Sequence, residues 1–163
     1  MANLVLAVHE RIGTWSRQLR PRLVGWPLRM VETRSGADLE QALCGTVGSL
    51  VLIDVAQRPG PALDDLDRAL ATAADALVLV LNPNAIDGVA ALARELGATV
   101  VLDGPTTPPA VARWLERWVR LSPRRIEAAG RPLSAPTPAE PEPWGWLAPQ
   151  RDSRPPSRWS PGP

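Results

Sequence analysis

Lysine is missing from this chain, and all 18 of its basic residues are arginines. No amine side chain is available for a Schiff base, a phosphate-loop lysine or a lysine-based switch. Phenylalanine and tyrosine are also absent, so the seven tryptophans are the entire aromatic complement. With one histidine and one cysteine, the chain offers neither paired zinc ligands nor an internal disulfide. Cys44 ends the apolar helical stretch Leu39-Glu40-Gln41-Ala42-Leu43-Cys44 and is expected to pack as a small hydrophobe. After the first apolar run the turn reads His9-Glu10-Arg11-Ile12-Gly13-Thr14, without the glycines of a dinucleotide site, and no Gly-x-Ser-x-Gly elbow exists. Leu4–Val8 is only a five-residue apolar run with no basic segment before it, which fits neither a signal peptide nor a membrane span. A net charge of +1 supplies no general field for nucleic acid or anionic lipid. The expectation is a cytoplasmic protein that binds neither nucleic acid nor membrane.

What is present divides the chain in two. Its 163 residues suffice for one domain with some chain left over. Residues 123–163 hold 11 of the 19 prolines, few aliphatic residues and no apolar periodicity. Such a stretch does not recover the entropy of ordering it, so a proline-rich disordered tail is expected there, extended through Ala135-Pro136-Thr137-Pro138-Ala139-Glu140-Pro141-Glu142-Pro143. Within it, Trp144 and Trp146 form an aromatic cluster that is a candidate docking motif for a partner.

Residues 1–122 alternate strand-length apolar runs with helical periodicity. The runs are Leu4–Val8, Pro27–Thr33, Leu50–Asp54, Ala76–Leu81 and Ala98–Leu102. The helical stretches are Thr14–Leu23 with Thr14 as candidate N-cap, Ser35–Cys44 stopped by Gly45, Ala62–Ala73, Asn84–Leu96 stopped by Gly97, and Pro109–Leu121. Strands that are apolar throughout are buried on both faces, which predicts a doubly wound α/β fold: a five-stranded parallel sheet, (βα)5, with helices on either side. Ligands of such sheets collect at the carboxyl ends of the strands. Those ends carry His9 and Glu10, then Asp54, then Asn82, then Asp103 and Gly104, a candidate pocket. Glu10 and Asp54 are candidate ligands for Mg²⁺, which prefers hard oxygen donors. The bland alternative is that acidic residues simply favour loops leading into helix N-termini.

At these residues the chain resembles the receiver domain of two-component response regulators. The resemblance spans about residues 3–122 and rests on Val8-His9-Glu10, on Leu50-Val51-Leu52-Ile53-Asp54 followed by Arg58-Pro59-Gly60, and on Gly97-Ala98-Thr99-Val100-Val101-Leu102-Asp103-Gly104-Pro105. It implies Asp54 as phospho-acceptor candidate, with Mg²⁺ if the acidic site is active. Where receivers have an acidic pair this chain has His9 and Glu10; where they have Lys before Pro it has Gly104; where a Thr or Ser closes the fourth strand it has Asn82. The lysine and the hydroxyl would engage the phosphoryl group. Their absence leads to the expectation of a degenerate, non-switching and non-catalytic receiver-like interaction module in bacterial signalling. Its partner would be a histidine kinase or an effector, with a homodimer through the fourth and fifth helices as a further option. A true phospho-accepting receiver and a flavodoxin-like domain binding a small molecule stay open beside it. On the last helix, Val111, Leu115 and Trp118 fall on the core stripe, Trp114 lies beside it, and both tryptophans are candidate partner anchors.

Overall fold

A computed structural model describes residues 4–129, which fall within one compact unit, Met1–Gly130. Trp144, Trp146 and most of the expected tail lie outside the described residues. Five strands, β1 (Leu4–His9), β2 (Leu28–Thr33), β3 (Leu50–Asp54), β4 (Leu77–Asn82) and β5 (Val100–Asp103), form one parallel sheet in the order β2-β1-β3-β4-β5. Five helices alternate with them: α1 (Thr14–Leu19), α2 (Gly36–Leu43), α3 (Pro59–Thr72), α4 (Val89–Glu95) and α5 (Pro108–Ala129). This is the doubly wound architecture expected from the apolar runs.

Alternation along the strands sorts the core by residue size. Leu4, Leu6, Val8, Leu50, Leu52, Leu79 and Leu81 point to one side, where they meet Trp15 and Leu19 of α1 and Val111, Leu115 and Trp118 of α5. Ala7, Val51, Ile53, Val78 and Val80 point to the other side, against Leu39, Leu66 and Ala93 of α2, α3 and α4. Two helices cover the leucine face, with tryptophan volume filling the space between them. Three cover the face of smaller residues. β1, β3 and β4 are buried almost end to end, whereas the edge strands β2 and β5 are only half-buried.

Helix ends depart from the periodicity where proline or backbone handedness intervenes. α1 gives way to a single 3-10 turn at Arg20–Arg22, because Pro21 has no N–H to donate to the Arg17 carbonyl and so cannot extend the helical ladder. α3 begins at Pro59, three residues before the expected Ala62, since the first turn of a helix does not need its own N–H donors. α4 is much shorter than Asn84–Leu96: Ala85 and Gly88 hold φ angles of 47° and 78°, a left-handed backbone that no right-handed helix accommodates. α5 runs through Pro123 to Ala129, so the 122/123 boundary falls inside a helix. Proline removes one hydrogen bond there, but the residues after it, largely Arg, Glu and Ala, are good helix formers, and the Ser122 hydroxyl donates to the Trp118 carbonyl at 2.9 Å. Cys44 is exposed instead of packed, because Leu39 and Leu43 already define the buried side of α2 and Cys44 lies just past its end.

Leu115 is fully buried and Leu121, six residues on, is 43% exposed. Leu115→Ala is expected to lower unfolding stability by about 2–5 kcal/mol. Leu121→Ala should stay within about 0.5 kcal/mol. Urea midpoints at unchanged m-value test both.

Candidate functional site

Glu10 follows the last residue of β1 and continues the sheet register, its N–H donating to the Thr33 carbonyl at 3.1 Å. Its side chain is buried, with 2% exposure for the residue. The two carboxylate oxygens accept from backbone N–H groups of α1, Oε2 from Trp15 at 2.8 Å and Oε1 from Ser16 at 2.6 Å. The N-cap position of that helix is Gly13, in left-handed conformation at φ 71°, and Gly13 has no side chain to cap with. Glu10 therefore serves as the cap from outside the helix, its negative charge facing the positive end of the helix dipole. Thr14, the expected cap, is the first helical residue instead.

His9 reaches in the opposite direction. Its Nδ1 lies 3.0 Å from the Thr33 hydroxyl and its Nε2 lies 3.1 Å from Asp65 Oδ2 of α3. An ionised carboxylate only accepts, which assigns the hydrogen to Nε2 and leaves Nδ1 of a neutral ring to accept from Thr33. Arg68 stands 3.9 Å from the other Asp65 oxygen. Gly36 makes the approach of α2 to this carboxylate possible, since a Cβ there would collide with Asp65. Sequence reasoning missed Asp65. The available signal was a carboxylate among Ala62, Leu66 and Ala69, on the buried stripe of α3.

Asp54, at the end of β3, is half-buried, and its Oδ1 accepts from the Ala56 N–H at 2.9 Å. It shares with His9 and Glu10 a cleft of about 30 Å³, flanked by Arg11, Arg34 and Arg58. That is room for one or two waters. Burial pushes the Asp54 carboxyl above the usual aspartate range; the Ala56 N–H and the Trp15 side chain pull it down, and the nearby Glu10 charge adds to the rise. Trp15 is a second neighbour that sequence reasoning overlooked.

The first-strand donors are already committed to hydrogen bonds within the protein. Mg²⁺ asks for several free oxygens in near-octahedral array, whereas both Glu10 oxygens already hold α1 and both His9 nitrogens are engaged. Among the described residues, no group of three or more carboxylate, imidazole or thiol side chains is placed to hold a metal.

Asn82, Asp103 and Gly104 do not line this cleft. They make a separate knot where β4 and β5 end. The fully buried Asn82 donates from Nδ2 to Asp103 Oδ1 at 2.6 Å and to the Ile86 carbonyl at 3.1 Å, while its Oδ1 accepts from the Ile86 N–H at 3.1 Å. Its backbone carbonyl takes the Gly104 N–H at 2.9 Å. Gly104 holds φ 88°, a backbone that glycine adopts freely and other residues resist. On α5, Trp118 is 4% exposed and belongs to the core, one stripe with Val111 and Leu115. It is not a surface anchor. Trp114 is half-buried, with the Arg117 guanidinium 6.0 Å from its ring centroid, and stays available.

Two substitutions separate these roles. Glu10→Ala leaves two first-turn N–H groups of α1 without a partner in a buried place, and is expected to lower stability by roughly 2 kcal/mol or more in a urea titration. Asp54→Asn should do the reverse at neutral pH. A folded-state pKa raised above the unfolded one gives a contribution that is full at low pH and lost as pH rises through the folded value. At pH 7 the asparagine variant should therefore melt higher than the native chain. The gap should close as pH falls into the ordinary aspartate range, and a gap that widens on acidification contradicts the assignment.

No protein-family model matches the sequence, and no curated protein matches it either. Solved structures do match by shape. The signal receiver domain of a protein described as a LuxO repressor, from Vibrio parahaemolyticus, superposes with a TM-score of 0.65 at 13% identity, over 79% of this chain and 99% of that one. The receiver domain of DrrB, from Thermotoga maritima, matches at 0.60 with 16% identity over 72% and 98%. A pilus assembly protein, CpaE from Burkholderia thailandensis, matches at 0.55 with 17% identity over 72% and 98%. No helix among the described residues is long and apolar enough to cross a membrane. With its 2-1-3-4-5 parallel sheet, its acidic first and third strand ends and these superpositions, the chain has the receiver-domain fold.

Proposed function

We propose that this chain is a receiver-like interaction module of two-component-type signalling, one that contacts a protein partner such as a kinase or effector without switching by phosphorylation and without catalysing a reaction of its own. The observation that carries the reading is Glu10. The carboxylate best placed to help bind a metal beside Asp54 is spent on holding α1, through both of its oxygens. The rest of the strand-end chemistry agrees with it. A phosphoryl group on Asp54, read out as in a receiver, would need a lysine at the end of β5 and a mobile hydroxyl at the end of β4. The chain has no lysine, its counterpart position is the left-handed Gly104, and the position expected of a hydroxyl is Asn82, locked among Ile86, Asp103 and Gly104.

The second reading, a working phospho-acceptor, draws its support from Asp54 itself. It is only half-buried, and Arg34 and Arg58 stand at the mouth of its cleft. The two readings separate in one measurement. Incubation of the full chain with acetyl phosphate and Mg²⁺, followed by intact mass, is expected to return the unmodified mass. A phosphoryl adduct that disappears in Asp54→Asn would overturn the non-switching reading.

A further inference from the structure

A net charge of +1 conceals a molecule whose two helical layers carry opposite sign. On the leucine side of the sheet, α1 and the 3-10 turn after it carry Arg17, Arg20 and Arg22 and no acidic residue, and α5 carries five arginines against Glu116 and Glu127. On the other side, α2, α3 and α4 together carry six carboxylates against Arg68 and Arg94. Solubility alone is served by interspersed charge and does not call for such segregation. The two basic helices are neighbours, packed together through Leu19, Leu115 and Trp118. Arg17, Arg20, Arg113, Arg117 and Arg120 are exposed on them. Within this layer, the ion pair among the described residues is Arg120 with Glu116.

From this we infer that the α1/α5 face docks an acidic protein surface, an inference that names the face and the partner chemistry of the interaction module proposed above and rests on that reading. The face has the composition of a protein-binding patch. Trp114 lies half-buried under Arg117, and Leu121, 43% exposed, sits two turns on, between Arg117, Arg120 and Arg124 in the helix. Tryptophan and arginine are the residues that anchor protein interfaces. Guanidinium groups take carboxylates in bidentate geometry, whereas Glu116, in the middle of the patch, opposes a continuous phosphate backbone. Single exposed pairs contribute little; the set acts together, by steering the encounter and fixing orientation.

The full chain is titrated into fluorescently labelled poly-L-glutamate at low salt. Arg20→Glu/Arg113→Glu is compared with Arg29→Glu/Arg94→Glu. Both doubles change net charge equally. The second pair lies on the opposite side: Leu28 and Met30 pack against the leucine layer, so Arg29 between them points away, and Arg94 is on α4. All four arginines are exposed, and thermal melts should match the native chain. The α1/α5 double is expected to weaken binding about tenfold or more, and the control about twofold or less. Equal weakening by both doubles, or no binding by the native chain, overturns the proposal. So does displacement of poly-glutamate by a single-stranded oligonucleotide of equal charge at lower concentration, which assigns the face to nucleic acid. An Asp54 phosphoryl adduct would overturn the non-switching reading while leaving this titration unchanged, so the two failures are distinguishable.

Discussion

A buried carboxylate at the end of the first strand fixes much of what this molecule can do. Glu10 is withdrawn from water, which is tolerable for a negative charge only if it is fully hydrogen-bonded, and the open end of α1 supplies the donors. The same two bonds set where α1 starts, and hence where Trp15 and Leu19 enter the leucine layer. They also turn the Glu10 carboxylate toward α1 at the cleft it shares with Asp54. One side chain thus links the packing of a core layer to the layout of the strand-end cleft.

The rest of this edge of the sheet is fixed in a similar way. Asn82 joins β4, β5 and the entry to α4 through its amide and its backbone carbonyl, and His9 joins β1, β2 and α3 through its ring. A conformational switch requires an element with two arrangements of similar free energy. Here the ends of β1 and β4 are held by the buried polar groups His9, Glu10 and Asn82, and moving any of them leaves a buried donor or acceptor without a partner.

The fold was legible because strand burial writes itself directly into composition. β1, β3 and β4 are runs of Leu, Val and Ile with no polar interruption, and nothing but a two-sided parallel sheet buries such strands. Helix boundaries were less legible. Ala85 and Gly88 turn left-handed in a stretch whose apolar spacing reads as helix, and α5 carries Pro123 inside it. The cleft was half legible. His9, Glu10 and Asp54 announce themselves by standing at strand ends, but the His9 partners Thr33 and Asp65 are distant in sequence. What decides the role of Glu10 is the direction its side chain takes, and no spacing rule contains that. The charge segregation was hidden for a different reason: a net value sums over two faces that the fold alone separates.

Both outer strands of the sheet resist being extended. β2 interrupts its apolar residues with Arg29 and Glu32, and β5 is only four residues long and ends in Asp103, whose carboxylate is turned inward to Asn82. Unpaired strand edges are the usual templates for uncontrolled chain-to-chain pairing, and charge and brevity are the usual defences. A sheet that cannot recruit another strand leaves the charged helical faces as the surfaces open to association. At high concentration, association of this chain should therefore be governed by ionic strength and not by β-type aggregation.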